Sequence, residues 1–277
     1  MPAAFAHDLY GRLVFERLKP EVRRAVGKEK DCFYLGLHGP DVLFFYRALG
    51  NNPVNRKGYH LHEEAASGIF EHGLAVLEKE HDKRKKDAIR AYLLGFACHF
   101  ALDCSLHRYI NEKEKNTIYT HGEIETELER RLLIREGKTP LRTNVTSHIK
   151  GTEMTWMASS RVLSEDEVCL WEAIASFKTV NRLFINSGEG MKSLICLILR
   201  AAGYYEKIHG MIMRRRPVPG LSQTTDYLEK EFHRAVPFGV CMTEGLFFSM
   251  ERGESLPREF GMNFEGEWKK ENKEDRV

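Results

Sequence analysis

What this chain has too little of narrows its function before any motif is considered. Charge of one sign is missing: 42 Lys and Arg stand against 40 Asp and Glu, a formal net charge of +2. Bulk charge therefore recommends neither a stable nucleic-acid partner nor a membrane surface. Apolar runs of the ~20 residues that span a bilayer are missing as well, so no transmembrane segment is expected. Met1-Pro2-Ala3-Ala4-Phe5-Ala6-His7 lacks the basic and apolar regions of a secretory signal, which leads to the expectation of a cytoplasmic protein. The six cysteines (Cys32, Cys98, Cys104, Cys169, Cys196 and Cys241) are dispersed, with no Cys-x-x-Cys pair. In a reduced chain of 277 residues that argues against a disulfide framework, and they read as buried thiols. Strand-like alternation and internal repeats are absent too.

What is present is helical periodicity. Leu9, Leu13, Val14 and Leu18 recur at helical spacing before Pro20 ends the first segment. Asp31 to Tyr59 is rich in Gly, Pro and Asn and reads as a loop region with a helical piece near Val42 to Tyr46. Helical pattern then covers about His62 to Glu80, Lys86 to Ile110 and Thr120 to Gly137, with Glu80 to Asp87 a charged connector. Thr120 and Glu123 have the spacing of a capping box. Later segments are expected at about Ser164 to Asn181, Glu189 to Met213, and Gln223 to Met250, the last kinked or broken by Pro237 and Gly239. The expectation is an all-α fold, a single multi-helical domain over residues 1–264 with a charged, disordered tail at 265–277.

The most informative stretch is Cys98-His99-Phe100-Ala101-Leu102-Asp103-Cys104-Ser105-Leu106-His107. Residues four apart on a helix share one face, separated by roughly 6 Å of rise. His99, Asp103 and His107 thus form one polar stripe on a segment that otherwise reads as core. His121 and Glu125 repeat the step. Buried imidazoles and carboxylates are costly unless paired or bound to metal, and helical bundles hold two or more ions with such inward-facing donors. The stripes predict a polynuclear metal site in the helical core, against the plainer alternative of a metal-free polar network.

With His7, Leu35-Gly36-Leu37-His38-Gly39-Pro40-Asp41 and His62, these donors form an ordered set that resembles the zinc-dependent phospholipase C family, which shares its fold and three-metal site with the P1-type nucleases. The likeness covers roughly residues 5 to 135. It implies zinc as cofactor, two to three ions per chain. Asp41, His62, His99 and Asp103 would hold the first; His107, His121 and Glu125 the second; His7, a bridging Asp103 and the N-terminal amine a third. The secreted relatives expose that amine by removing a signal peptide, often leaving a Trp. Here Pro2 after Met1 permits loss of the initiator Met instead. The resemblance favours His62 over His60, because the family pattern places this ligand at the start of the following helix, just before an acidic residue, here Glu63.

The resemblance implies phospholipase C-like hydrolysis of a phospholipid or related phosphodiester by a zinc-bound hydroxide, with Asp41 orienting or deprotonating the water. The alternatives are a P1-type single-strand nuclease or nucleotidase acting on a nucleotide, and a non-catalytic protein whose metals staple the fold. His38 reads as a loop hydrogen-bonding residue or a substrate neighbour. Arg214-Arg215-Arg216 reads as a helix C-terminus complementing the dipole. His72, His81, His148, His209 and His233 have no ligand-like context.

Overall fold

The computed structural model describes residues 3–50 and 52–269, and among these it is all helical, with a single isolated bridge between Met262 and Trp268. Thirteen α-helices follow in chain order among the described residues: α1 (Ala4–Arg17), α2 (Pro20–Gly27), α3 (Lys30–Gly36), α4 (Pro53–Glu63), α5 (Ala66–Lys79), α6 (Lys83–Asn116) and α7 (His121–Arg135). The remainder are α8 (Glu153–Leu163), α9 (Glu167–Asn186), α10 (Glu189–Ala201), α11 (Tyr205–Ile208), α12 (Ser222–Arg234) and α13 (Val236–Arg252). A 3-10 turn, Gly39–Phe45, links α3 to α4.

Local chemistry sets many of these boundaries. Pro20 sits in the first turn of α2, where its missing N–H costs nothing. Asn52 and Asn55 cap α4 reciprocally, and Thr120 and Glu123 do the same for α7, as their spacing predicts. Asp82 caps α6 through Lys85 N, and each such cap stabilises its helix by about 1 kcal/mol.

Helix α6 is the axis of the molecule. Its apolar side chains from Ala88 to Phe100 are fully buried against α3, α13, α8, α1 and α2. Length and composition alone would let α6 cross a membrane, contrary to the expectation that no span exists. The apolar window is nevertheless 89% buried inside the protein, as in the core helix of a globular chain. Helix α3 crosses α6 at a backbone-to-backbone contact. A Cβ on Gly36 would lie 2.1 Å from Tyr92 O, and one on Gly95 would lie 2.1 Å from Phe33 O.

Several expected boundaries are corrected. The loop expected from Asp31 to Tyr59 contains most of α3 and α4. The single helix expected from Glu189 to Met213 stops at Ala201, where Gly203 takes φ +75° and Tyr204 N donates to Leu199 O in a left-handed terminus. The break expected near Pro237 is, by contrast, found there: the last helix parts at Ala235 into α12 and α13. Glu265 to Lys269, assigned to the tail, fold back: Glu265 N and Glu267 N both donate to Asn263 Oδ1, and Trp268 pairs with Met262. The rest of that tail, 270–277, lies outside the described residues, as do Met1 and Pro2.

Candidate metal centre

Five elements deliver the eight predicted donors to one place. Helix α1 brings His7, the 3-10 turn Asp41, α4 His62, α6 the stripe of His99, Asp103 and His107, and α7 His121 and Glu125. Asp41, His62, His99 and Asp103 form one group and His107, His121 and Glu125 another. Within each group the donor atoms lie within 4.8 Å of one another. Asp103 stands between them. Its Oδ2 is 3.1 Å from His99 Nε2 and 3.8 Å from His62 Nε2. Its Oδ1 is 3.3 Å from His7 Nε2 and 3.5 Å from His107 Nε2. Asp41 Oδ1 approaches His62 Nε2 at 3.0 Å. Glu125 Oε1 lies 3.4 Å from His107 Nε2 and 3.2 Å from His121 Nε2. His99 is fully buried, whereas the His121 side chain is 23% exposed and forms the solvent rim.

Outer hydrogen bonds decide which ring nitrogen faces inward. His62 Nδ1 donates to Gly58 O at 2.7 Å, His99 Nδ1 to Leu37 O at 3.2 Å, and His121 Nδ1 to Asn111 Oδ1 at 2.9 Å. An acceptor oxygen on Nδ1 fixes the proton there, so the neutral ring presents the Nε2 lone pair to the centre. Gly39 makes room for this arrangement: it holds φ +35°, and a Cβ on it would come within 2.6 Å of His99 Cδ2.

The fit to a metal can be tested on these atoms. His99 Nε2 and Asp103 Oδ2 are both buried, and neither makes a hydrogen bond although they lie 3.1 Å apart. A lone pair facing a carboxylate oxygen in a dry interior is repulsive unless a cation sits with both. Burial opposes charge on Asp103, yet the imidazoles of His107, His99 and His7 hold its carboxyl well below the ordinary carboxylate range. Burial likewise opposes charge on His107, but Asp103, Glu125 and Glu265 hold its imidazole well above its ordinary value. The cluster of carboxylates thus demands positive charge, from a protonated ring or a divalent ion. The mixed imidazole and carboxylate donor set suits zinc.

His62 stands in the cluster, while His60 is exposed on the opposite side of α4, 3.9 Å from Glu64. The N-terminal amine expected at a third site lies outside the described residues. Glu265, not anticipated from sequence, reaches back so that its Oε1 lies 3.5 Å from His107 Nδ1, and it also accepts from Asn111. His148, set aside for want of ligand-like context, has its Nε2 2.7 Å from His38 Nε2 and its Nδ1 3.9 Å from Asp8 Oδ1. His38 is thus the loop hydrogen-bonding residue of the two readings left open. Arg214 does not end a helix; it donates to Glu123 at 2.6 Å. Neither His148 nor Glu265 carries a local signal, because their partners are more than a hundred residues away in the chain.

The sequence model of the family described as zinc dependent phospholipase C matches residues 1–168, which contain all eight donors. No curated protein and no solved structure matches the chain.

Proposed function

The chain belongs to the zinc-dependent phospholipase C family, and from that premise we propose that it is a zinc-dependent phosphodiesterase acting on a phospholipid or closely related phosphodiester. The coarser statement, a zinc-dependent hydrolase of the phospholipase type, rests directly on the family match and the two buried donor groups. The observation that carries the finer reading is Asp103, whose two oxygens face different donor groups. Fixing metals closely together is useful for polarising a phosphoryl group from two sides and has little purpose in a structural staple.

In this reading Asp41, His62, His99 and Asp103 would hold one ion, and His107, His121 and Glu125 would hold another. His7, beside Asp103, would serve a third position. Bound zinc supplies Lewis acidity toward phosphoryl oxygens and acidifies water near neutral pH. Asp41 orients the attacking water and accepts its proton at a carboxylate oxygen. Gly58 O, Leu37 O and Asn111 Oδ1 hold the Nδ1 protons of His62, His99 and His121, which turns each Nε2 toward the centre. The buried apolar wall of Phe264 and Phe96 against His99 excludes bulk water from the inner side, so substrate enters from the His121 rim. Family membership favours a phospholipid over the nucleotide considered from sequence.

The test pairs elemental analysis with turnover. Purified protein is expected to carry at least two zinc ions and to hydrolyse a short-chain phosphatidylcholine, losing both on chelation and regaining both on zinc addition. Bound zinc without turnover of this ester or of single-stranded DNA would overturn the enzymatic reading. Cleavage of DNA alone would move the substrate class to nucleic acid.

A further inference from the structure

Helix α10 carries more apolar surface than the protein covers. Only Lys192 and Leu199 are buried. Met191, Leu194, Leu197 and Ile198 are 48%, 48%, 62% and 53% exposed, and at helical spacing they share one outward arc. Single exposed apolar residues are ordinary, but four on one helical arc mark an interaction surface. The face is one helix wide.

The surroundings say what such a face can meet. From Arg182 to Arg216 the chain has seven basic residues and two acidic ones, although the whole chain nets only +2. The positive charge is therefore concentrated here. Lys192 Nζ donates to Met213 O at 2.7 Å, which ties α10 to the start of the Arg214-Arg215-Arg216 run. Arg215 and Arg216 are exposed, and Arg200 lies over the Tyr205 ring at 4.1 Å. The segment also adjoins the open side of the metal centre. His209–Met211 packs on α7, with Arg214 bonded to Glu123, two residues from His121.

We propose that α10 and the arginine run form a membrane-docking surface that seats the protein on an anionic phospholipid bilayer, with Met191, Leu194, Leu197 and Ile198 entering the headgroup–acyl boundary. An amphipathic helix with basic flanks binds such a surface through buried apolar area together with attraction to anionic lipid. A second copy of the chain fits less well, because an isologous contact would set two basic segments face to face. The proposal deepens the phospholipid reading of the centre and rests on it for the choice of a lipid surface: docking here would bring the His121 rim to the layer in which the scissile bonds lie.

Flotation with vesicles tests it. The full chain is expected to float with phosphatidylcholine and phosphatidylglycerol in equal parts, and less with phosphatidylcholine alone or in high salt. Leu194→Glu with Leu197→Glu should weaken partition by roughly tenfold per side chain. Arg215→Glu with Arg216→Glu should remove the preference for the anionic vesicles. Both variants should keep the wild-type circular dichroism spectrum and the wild-type rate on a monomeric short-chain phosphatidylcholine. Equal flotation of the first variant and wild type would overturn the proposal. So would a wild type that hydrolyses the monomeric ester but never floats, or a lipid-free dimer that the leucine substitutions dissolve. Normal flotation with no turnover of any phosphodiester would leave the docking surface standing and sink the reading of the centre.

Discussion

Asp103 concentrates the chemistry of this protein in one side chain. Only a carboxylate can address His99 and His62 with one oxygen and His7 and His107 with the other. Asp103→Asn keeps the shape and removes the charge. It is expected to lose at least one zinc ion by elemental analysis and to lower turnover by more than about a hundredfold. Wild-type zinc content and rate in that variant would refute the bridging role. One step outward, Asn111 holds His121 Nδ1 at 2.9 Å. Asn111→Leu should weaken zinc at His107, His121 and Glu125 by about 10–100-fold in competition with a chromophoric chelator. His60→Ala, on the exposed side of α4, should leave that affinity unchanged.

Between residues and molecule stand the helices, and the crossing of α3 over α6 sets the geometry of the site. Leu37, at the end of α3, supplies the carbonyl that orients His99, one turn beyond Gly95 on α6. Gly95→Ala would place a methyl 2.1 Å from Phe33 O, a contact with backbone that no rotamer change relieves. The helices must part, at a cost of about 1–3 kcal/mol or more. The expected result is a lower urea midpoint together with weaker zinc binding, whereas Gly68→Ala on α5, with open space around it, should neither lower the midpoint nor weaken zinc binding. Unaltered zinc affinity in Gly95→Ala would mean that the crossing does not position His99. How legible such elements are in sequence depends on how local their cause is. The i,i+4 stripes and the Thr120–Glu123 box act within one or two turns, so they could be read directly. Helices α4 and α8 announce themselves less clearly, although Asn52–Asn55 and Thr152–Thr155 cap them reciprocally. Their third position holds Asn or Thr where Glu or Gln is the usual signal. The Gly36–Gly95 contact is beyond sequence reasoning altogether, since a helical glycine shows its purpose only when another backbone lies against it.

For the molecule as a whole, the joint between the α7–α8 connection and the 3-10 turn governs the response to acid. His38 and His148 meet there with Nε2 atoms 2.7 Å apart, a gap that accommodates one proton but not two. Burial above all pushes His148 down from an ordinary 6.5 to about 4; Asp8 opposes this, while Arg12, Lys178 and His7 add to it. His38 is held well below its ordinary value by burial and by His148, His7 and His99, with Asp41 opposing. Below pH 6.5 the unfolded chain therefore binds protons that the folded chain refuses. Stability falls as pH falls, and for His148 the loss is complete near pH 4. Over that span His148 alone accounts for roughly 3 kcal/mol. Other groups act in other windows. Asp103, with a depressed folded value, loses its contribution only below the ordinary carboxylate range, about 4. His107, with a raised value, contributes fully below 6.5 and loses stability as pH rises through its folded pKa. The measurement is urea unfolding of zinc-free protein from neutral pH down to about 4, wild type against His148→Gln. The variant should show a visibly shallower decline, reduced rather than abolished because His38 remains. Zinc should steepen the decline in both proteins, since its imidazole and carboxylate donors must be deprotonated to bind. A His148→Gln variant that loses stability as steeply as wild type would place the acid sensitivity outside this histidine pair.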